Sequence, residues 1–293
     1  MTKLAESSLI QSLTRELGTS GQLPAGAQWQ RLRGGRTNHV WQVTGPEGRD
    51  PVVVKLFDGT AQNPLFPNRP EDEARVLHAL DGQGLAPRLL HHAATPLGAC
   101  LIYSHLDGAP WRHGAATAAK LLHRVHQITP PKGLRQPPNG SAAIEDQIGE
   151  ILAFLGHTLD DLPDFPTAPV ANSGAACLLH GDPVPGNMID CGDRLFLIDW
   201  QCPAVGDPCE DIALFLSPAM QIAYRGAPLS DAEEIAFFAA YGDADTIARY
   251  ECLAPWYHAR TLAYCMWQVA QGEDAAVTRA QAERSALEAT LYR

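Results

Sequence analysis

The chain has 293 residues, of which 45% are hydrophobic and 19% charged, and its formal net charge is −11. This length and balance predict a folded protein with a substantial core, built as one large domain or two lobes, and argue against a disordered chain. The acidic charge argues against nucleic acid or an anionic membrane as a partner and is compatible with a cationic substrate, although acidity also serves solubility alone.

Cysteine usage and the lack of long apolar runs bear on location. The seven cysteines form no C-x-x-C pair, and an odd number fits a complete disulfide framework poorly. No apolar run approaches the roughly 20 residues of a membrane span, and the N-terminal stretch has no signal-peptide pattern. We therefore expect reduced thiols, a cytoplasmic location and no membrane partner.

The first hundred residues predict a small sheet that carries a glycine-rich turn. Residues 4–17 have helical periodicity, and residues 29–32 and 40–43 alternate as two antiparallel strands. Gly34 and Gly35 lie between these strands, and without a Cβ they would let backbone amides approach phosphate oxygens. An ordinary hairpin is the equally weighted alternative.

A lysine inside the next strand needs a partner. Lys55 lies in the β-branched run 52–57, where a buried ammonium is costly unless it is paired. In the predicted helix 70–80, Glu73 shares the buried face of Leu77 and is the expected partner. The alternatives are a solvent-facing lysine and a carboxylate that complements the helix dipole.

Residues 99–108 predict a strand that runs into a turn, and helices follow at 115–128 and 144–154. If the glycine turn holds phosphates, backbone groups from Tyr103 to Leu106 are in the right order to bind the adenine edge. His123 and His126, on the first of these helices, are expected to be packing or surface residues.

The most informative stretch is 178–187, followed by the apolar run 195–198. It places His180, Asp182 and Asn187 after one apolar run and Asp199 after the next. Phosphoryl transfer needs a carboxylate that accepts the proton of the attacking hydroxyl, together with an amide and a second carboxylate that hold a divalent metal. The spacing therefore predicts a phosphoryl-transfer loop.

Taken in order, these motifs resemble the protein-kinase-like fold, and in detail the aminoglycoside phosphotransferase and choline kinase superfamily. The resemblance covers residues 29–216 and rests on three motifs: His180-Gly181-Asp182-x-x-Pro185-Gly186-Asn187, Ile198-Asp199-Trp200 and Gly206-Asp207-Pro208-x-x-Asp211-Ile212-Ala213. It implies a bilobal α+β fold, with an N-terminal nucleotide-binding lobe (1–106) of antiparallel sheet and one helix. A larger, mainly helical lobe (107–293) would carry the catalytic and substrate-binding residues.

The same resemblance implies a role for each motif residue, with ATP and Mg²⁺ as cofactors. Asp182 would be the catalytic base, Asn187 and Asp199 would hold Mg²⁺, and Lys55, oriented by Glu73, would contact the α- and β-phosphates. The remaining nucleotide-binding positions would be Gly34, Gly35, Thr37, Asn38, Tyr103 and Leu106. The turn from Gly34 to Asn38 is most similar to that of the choline and thiamine kinase branch.

Around these residues, His180 is expected to brace the loop by hydrogen bonds and Asp211 to anchor it. Asp207 would either share the anchoring role or face the substrate. Only residues 200–210 separate Asp199 from Asp211, and no Ala-Pro-Glu follows, so a polypeptide substrate would have no platform.

The C-terminal quarter predicts helices at 231–241, 244–253, 256–270 and 277–292. Trp256, Arg260 and Trp267 share one helix face, as does Tyr264, and aromatic rings attract cations at about 0.5–2 kcal/mol per contact. In the family that the chain resembles, the C-terminal helices line the acceptor pocket, so this face is a candidate for binding the acceptor. Simple packing of these aromatics against the lobe is the favoured interpretation, and Arg260 counts against a purely cation-binding wall.

The sequence thus predicts a kinase that transfers the γ-phosphoryl group of ATP to the hydroxyl of a small molecule. Choline, ethanolamine and thiamine-like amino alcohols are the favoured acceptors. An aminoglycoside or sugar kinase on the same fold, and a catalytically idle nucleotide-binding regulator, are the alternatives.

Overall fold

A computed structural model describes residues 3–19, 21, 23, 26–32, 37–46, 50–59, 63–164, 166 and 168–290 of the chain. An antiparallel sheet comes first, and mostly helical structure follows it. The predicted turn at Gly34 and Gly35 lies outside the described residues.

The N-terminal sheet has five antiparallel strands in the order β1-β2-β3-β5-β4. They are β1 (Gln28–Arg31), β2 (His39–Thr44), β3 (Val52–Leu56), β4 (Leu89–Thr95) and β5 (Gly98–Ser104). All but β4 were expected from the sequence. Strand β4 lies at the sheet edge and buries none of its residues, so it has no apolar alternation to reveal it.

One helix packs on each face of this sheet. Leu13 and Leu17 of α1 (Lys3–Thr19) cluster with Val54 and Leu56, whereas α2 (Pro70–Ala79) shares a core with Val53 and Phe57. Because side chains alternate along a strand, Lys55 points to the same side as its neighbours that face α2. The burial of Glu73 and Leu77 on α2 follows the predicted helix face.

Helices form most of the remaining chain. They are α3 (Ala115–His126), α4 (Ser141–Ala153), α5 (Cys209–Leu216), α6 (Pro218–Arg225), α7 (Asp231–Tyr241), α8 (Ala244–Ala270) and α9 (Ala276–Thr290). Within the described residues, none of the helices has the length and apolar character that crossing a membrane requires.

Helix α8 corrects the prediction of two helices at 244–253 and 256–270, because it continues through Pro255. A proline inside a helix costs about 3 kcal/mol through the lost hydrogen bond and a steric clash. Leu253, Trp256 and Tyr257 around it are all buried. Burying one large apolar side chain contributes about 1.5–3 kcal/mol, so packing outweighs the cost of the proline.

Short strands carry the loops between the sheet and these helices. They are β6 (Ala109–Pro110), β7 (Cys177–Leu179), β8 (Met188–Asp190), β9 (Leu195–Leu197) and β10 (Ala204–Gly206). Strands β8 and β9 form a hairpin that also pairs with β6, and β7 pairs with β10. The loop from residue 180 to residue 187 is therefore held at both ends by paired strands.

Candidate active site

The loop after β7 brings Asp182 and Asn187 together. The Asn187 amide Nδ2 donates to the Asp182 backbone oxygen at 2.9 Å and to Asp182 Oδ2 at 3.1 Å. Both side chains are buried. Because both N–H groups of this amide serve Asp182, the Asn187 Oδ1 oxygen is left to accept or to ligate.

Asp199 follows β9 in a left-handed conformation, with φ of 63°, and it is the one non-glycine residue in the described part of the chain with a positive φ. Such backbone costs about 1–3 kcal/mol and clusters at functional sites. The Asp199 side chain is 28% exposed, and its Oδ1 accepts from Lys55. Its second oxygen and Asn187 Oδ1 are hard oxygen donors of the kind that Mg²⁺ takes, and both residues line the same two pockets.

Lys55 is buried between two carboxylates. Its Nζ donates to Glu73 Oε2 at 2.5 Å and also to Asp199. Burial disfavours the charged lysine, but the Asp199 and Glu73 carboxylates outweigh it and raise the pKa of Lys55. Burial also raises the pKa of Glu73 to about 7, against the opposing charge of Lys55. The pairing of Lys55 with Glu73 is the one expected from the helix spacing.

His180 braces the loop, as predicted. The backbone N–H of Asp182 donates to His180 Nδ1 at 3.2 Å, so the ring proton lies on Nε2, which donates to the Ile198 carbonyl at 3.0 Å. Burial lowers the pKa of His180 and favours this neutral form. A proton-transfer role would need a free ring nitrogen, and both are engaged.

Asp211 anchors the same loop from α5. Its carboxylate accepts from the backbone N–H of His180 at 2.8 Å and of Gly181 at 2.9 Å. Burial acts to raise the pKa of Asp211, but the hydrogen bonds from His126 and from the Gly181 amide hold that pKa below its usual value.

Sequence reasoning missed the role of His126. Its Nε2 lies 3.2 Å from Asp211 Oδ2, and its Nδ1 lies 2.8 Å from the Tyr241 hydroxyl. In the neutral imidazole, donation from Nε2 to Asp211 leaves Nδ1 to accept from Tyr241. The available signal was the position of His126 on the buried stripe of α3, beside Leu122 and Val125.

Two pockets meet at these residues. The first, which we call the sheet-side pocket, is lined by residues that include Val40, Val53, Lys55, Tyr103, Leu106, Asn187, Ile198, Asp199 and Tyr224. The second, the helix-side pocket, is lined by residues that include Thr37, Asn38, Asn63, Phe66, Asp182, Asn187, Asp199, Gln201, Met220, Tyr224, Tyr264, Gln268 and Arg279. Asn187 and Asp199 line both pockets, whereas Asp182 lines the helix-side pocket.

Three of the candidate acceptor-binding residues line neither pocket in the described structure. Asp207 pairs with Arg249 at 2.6 Å, and Arg260 pairs with Glu210 at 2.8 Å, both in buried positions. Trp256 Nε1 donates to Glu145 at 3.4 Å. Helical spacing identified the shared face correctly, but that face packs on other helices of the same part of the chain.

Tyr264 is the member of that helix face that reaches the pocket. Trp267 stacks on it with ring centroids 5.7 Å apart, but Trp267 does not line either pocket in the described structure. The Tyr264 hydroxyl accepts from Asn63 at 2.9 Å and from Gln268 at 3.3 Å. None of the sequence motifs includes four other residues that line the helix-side pocket: Asn63, Phe66, Gln268 and Arg279.

Comparison with known proteins agrees with this geometry. A model of the phosphotransferase enzyme family, APH, matches residues 28–256. A choline/ethanolamine kinase family protein from Mesorhizobium loti has a TM-score of 0.64 at 15% identity, with 91% of this chain and 88% of that chain covered. No curated protein matches the sequence.

Two further solved structures share the fold. A choline kinase from Cryptosporidium parvum has a TM-score of 0.63 at 13% identity, covering 98% of this chain and 96% of that one. A spectinomycin phosphotransferase in complex with ADP and spectinomycin has a TM-score of 0.60 at 13% identity, covering 91% and 87%. The bilobal, protein-kinase-like α+β fold expected from the sequence is thereby confirmed, and the chain belongs to the APH phosphotransferase enzyme family.

Proposed function

We propose that this protein is an ATP-dependent kinase that transfers the γ-phosphoryl group to a hydroxyl of a small molecule. The observation that supports it most is the meeting of two pockets at Asn187 and Asp199, with Asp182 on the helix-side pocket alone. ATP would occupy the sheet-side pocket and the acceptor the helix-side pocket. The lobes would divide near residue 106.

Each polar residue at the junction has a chemical task in this proposal. Asp182 accepts the proton of the acceptor hydroxyl, and Lys55, oriented by Glu73, contacts the nucleotide phosphates. Asn187 and Asp199 hold Mg²⁺, which supplies charge neutralisation of those phosphates. Positioning and electrostatic stabilisation account for most catalysis in this chemistry, so the bracing of the loop by His180 and Asp211 matters as much as the base.

The lining of the helix-side pocket bears on the acceptor. In the described lining, Asp182 and Asp199 are the carboxylates, and both already serve the reaction centre. A polycationic aminoglycoside would lack further counter-charges, which weighs against that alternative. The rings of Phe66, Tyr224 and Tyr264 support an acceptor with one charge or none, including the choline, ethanolamine and thiamine-like amino alcohols favoured from the sequence, and also sugars.

The cellular location is part of the proposal. All seven cysteines are free thiols in the structure, and four of them are buried. This supports the cytoplasmic location expected from their spacing.

The test is Asp182→Asn, with ADP release measured over amino alcohols, thiamine, aminoglycosides and sugars. A positioned general base contributes about 10²–10⁴-fold, so turnover of the best acceptor should fall by at least roughly 100-fold. Asp190→Asn, an exposed carboxylate of β8, is the matched control and should leave turnover unchanged. Unchanged turnover in the Asp182 variant would refute the mechanism, and absence of acceptor-dependent turnover in the wild type would favour the idle regulator.

A further inference from the structure

An amide cluster joins the predicted phosphate turn to the residues after Asp199. Asn38 Nδ2 donates to Gln201 Oε1 at 2.7 Å and to Asn68 Oδ1 at 3.0 Å. Asn38 Oδ1 accepts from Asn68 Nδ2 at 2.8 Å and from the Asp58 backbone N–H at 3.1 Å. All four hydrogen-bonding positions of the Asn38 amide are therefore used within the protein, so its side chain is a structural element rather than a ligand of the nucleotide.

The orientation of each amide in this cluster follows from the backbone of Asp58. A backbone N–H can only donate, so the Asn38 atom that it contacts is the oxygen. A backbone carbonyl can only accept, so the Asn68 atom 3.1 Å from the Asp58 oxygen is the nitrogen. Asn38 must then present its nitrogen to Gln201, and the Gln201 atom at that contact is the oxygen.

This chain of hydrogen bonds leaves the Gln201 nitrogen pointing away from the cluster. Gln201 is 5% exposed, and its main chain is held by the Arg69 N–H, which donates to the Gln201 carbonyl at 2.8 Å. Gln201 lines the helix-side pocket, and within the described residues its Nε2 has no hydrogen-bond acceptor. This N–H is therefore placed to donate to an oxygen of a ligand in the pocket.

A second donor lines the same pocket. Arg279 is 4% exposed, and its Nη2 pairs with Glu273 at 2.6 Å. Its Nε is buried with no partner among the described residues. Arginine has donors only, so Arg279, like Gln201, favours an oxygen acceptor on the ligand.

We propose that Gln201 is a specificity-determining residue whose Nε2–H donates to an oxygen of the acceptor, so that the enzyme selects a hydroxyl, carbonyl or carboxylate oxygen there and rejects an ammonium group. The proposal rests on the function proposed above and narrows its acceptor class. An ammonium at this point would set donor against donor and leave both unpaired. Acceptors rich in oxygen, such as polyols and sugars, are therefore preferred over amines of the same shape.

The experiment compares pairs of test compounds that differ only in replacing one hydroxyl by an ammonium: glycerol with serinol, and glucose with glucosamine. For each pair, kcat/KM is measured in the wild type, Gln201→Glu and Gln201→Met. Glutamate keeps an oxygen for Asn38 and replaces the donor by a carboxylate oxygen. Because the ratio within a pair cancels common effects on ATP and Mg²⁺, it reports acceptor recognition alone.

We expect the wild type to prefer the hydroxyl member by roughly tenfold or more, since one hydrogen bond is worth about a factor of ten. Gln201→Glu should shift the ratio at least roughly tenfold towards the ammonium member, and Gln201→Met should bring it near unity. Gln147→Glu, which adds the same charge outside both pockets, is the matched control and should leave the ratio unchanged.

Three outcomes would overturn the proposal. The first is a wild-type preference for the ammonium member, and the second is a kcat/KM ratio in Gln201→Glu within twofold of the wild-type ratio. The third is that no hydroxyl member reacts with the wild type and none binds to Asp182→Asn in the presence of a non-hydrolysable ATP analogue. Failure of the proposed function looks different. In that case Asp182→Asn would retain full turnover, while the relative affinity for the two members of a pair, measured in Asp182→Asn with a non-hydrolysable ATP analogue, would still change when Gln201 is replaced.

Discussion

Replacing His126 by leucine tests how the catalytic loop is held. His126 and Asp211 are fully buried, and the change removes a hydrogen bond to a carboxylate, worth about 1.5–3 kcal/mol. It also leaves the Tyr241 hydroxyl without its acceptor, at about 1–3 kcal/mol. The added apolar burial of leucine returns about 1 kcal/mol, so the free energy of unfolding should fall by about 1.5–5 kcal/mol.

The assay is urea unfolding at pH 7.5, followed by tryptophan fluorescence and circular dichroism, for His126→Leu, Tyr241→Phe and the double variant. Tyr241→Phe alone should cost about 1–2 kcal/mol, because it removes one hydrogen bond and leaves His126 Nδ1 unpaired. Since both changes break the same contact, the double variant should lose at least about 1 kcal/mol less than the sum of the single losses.

Activity should change with the loop rather than with nucleotide binding. Asp211 holds the backbone of His180 and Gly181, so His126→Leu should lower kcat by roughly tenfold while KM for ATP stays within about twofold. His126→Gln, which keeps a donor towards Asp211, should recover most of kcat. Additive stabilities, or a loss below about 1 kcal/mol in His126→Leu, would refute the reasoning.

Two further predictions concern the same loop. Gly181→Ala should lower the free energy of unfolding by at least about 3 kcal/mol and abolish turnover, because φ is 82° and a Cβ there would overlap the Cys202 carbonyl oxygen. In the control Gly192→Ala, φ is 89° but nothing lies within 4 Å of the added Cβ, so the loss should be only about 1–2 kcal/mol. Burial lowers the pKa of His180 below 6.5, so its contribution to stability is complete above pH 6.5 and is lost as pH falls towards the folded pKa, at up to about 1.4 kcal/mol per pH unit. His180→Gln should therefore remove this acid dependence, measured as the difference from wild type between pH 7.5 and 4.5.

Both predictions have a built-in check. Equal losses in the two alanine variants would mean that the Cys202 contact does not limit residue 181. The raised pKa of Glu73, about 7, acts in the opposite direction, because its contribution grows as pH falls from 7 to 4.5. The Glu73 contribution is the same in wild type and His180→Gln, so it cancels in their difference. If the two proteins then show the same pH dependence of stability, the proposed role of His180 is excluded.

Much of the site could be predicted because its residues are close in sequence or follow regular periods. His180, Asp182 and Asn187 lie in one loop, and short spacing alone forces them together. Lys55 faces α2 because strand side chains alternate, and Glu73 faces the sheet because helical side chains recur every three to four residues. These relations depend on local geometry, which the sequence carries directly.

The contacts that the sequence did not reveal join residues far apart in the chain. Asn38 and Gln201 are 163 positions apart, and His126 and Asp211 are 85 apart. Periodicity says which face of a helix is buried but not which element buries it, so the face that carries Trp256 and Arg260 could be recognised without revealing that it packs inside the helical part. The same limit applied to Pro255, where tertiary packing outweighs a local helix breaker.

The sequence by itself therefore determined the fold and the pairing of Lys55 with Glu73, and it brought Asp182, Asn187 and Asp199 forward as the proposed base and metal ligands. Only the tertiary structure revealed the lining of the helix-side pocket, which is assembled from Asn63, Gln201, Tyr264 and Arg279, residues that no local pattern connects. The physical reason is that the motif residues lie at short, fixed spacings in the chain, whereas the lining of this pocket depends on which distant segments pack against the loop.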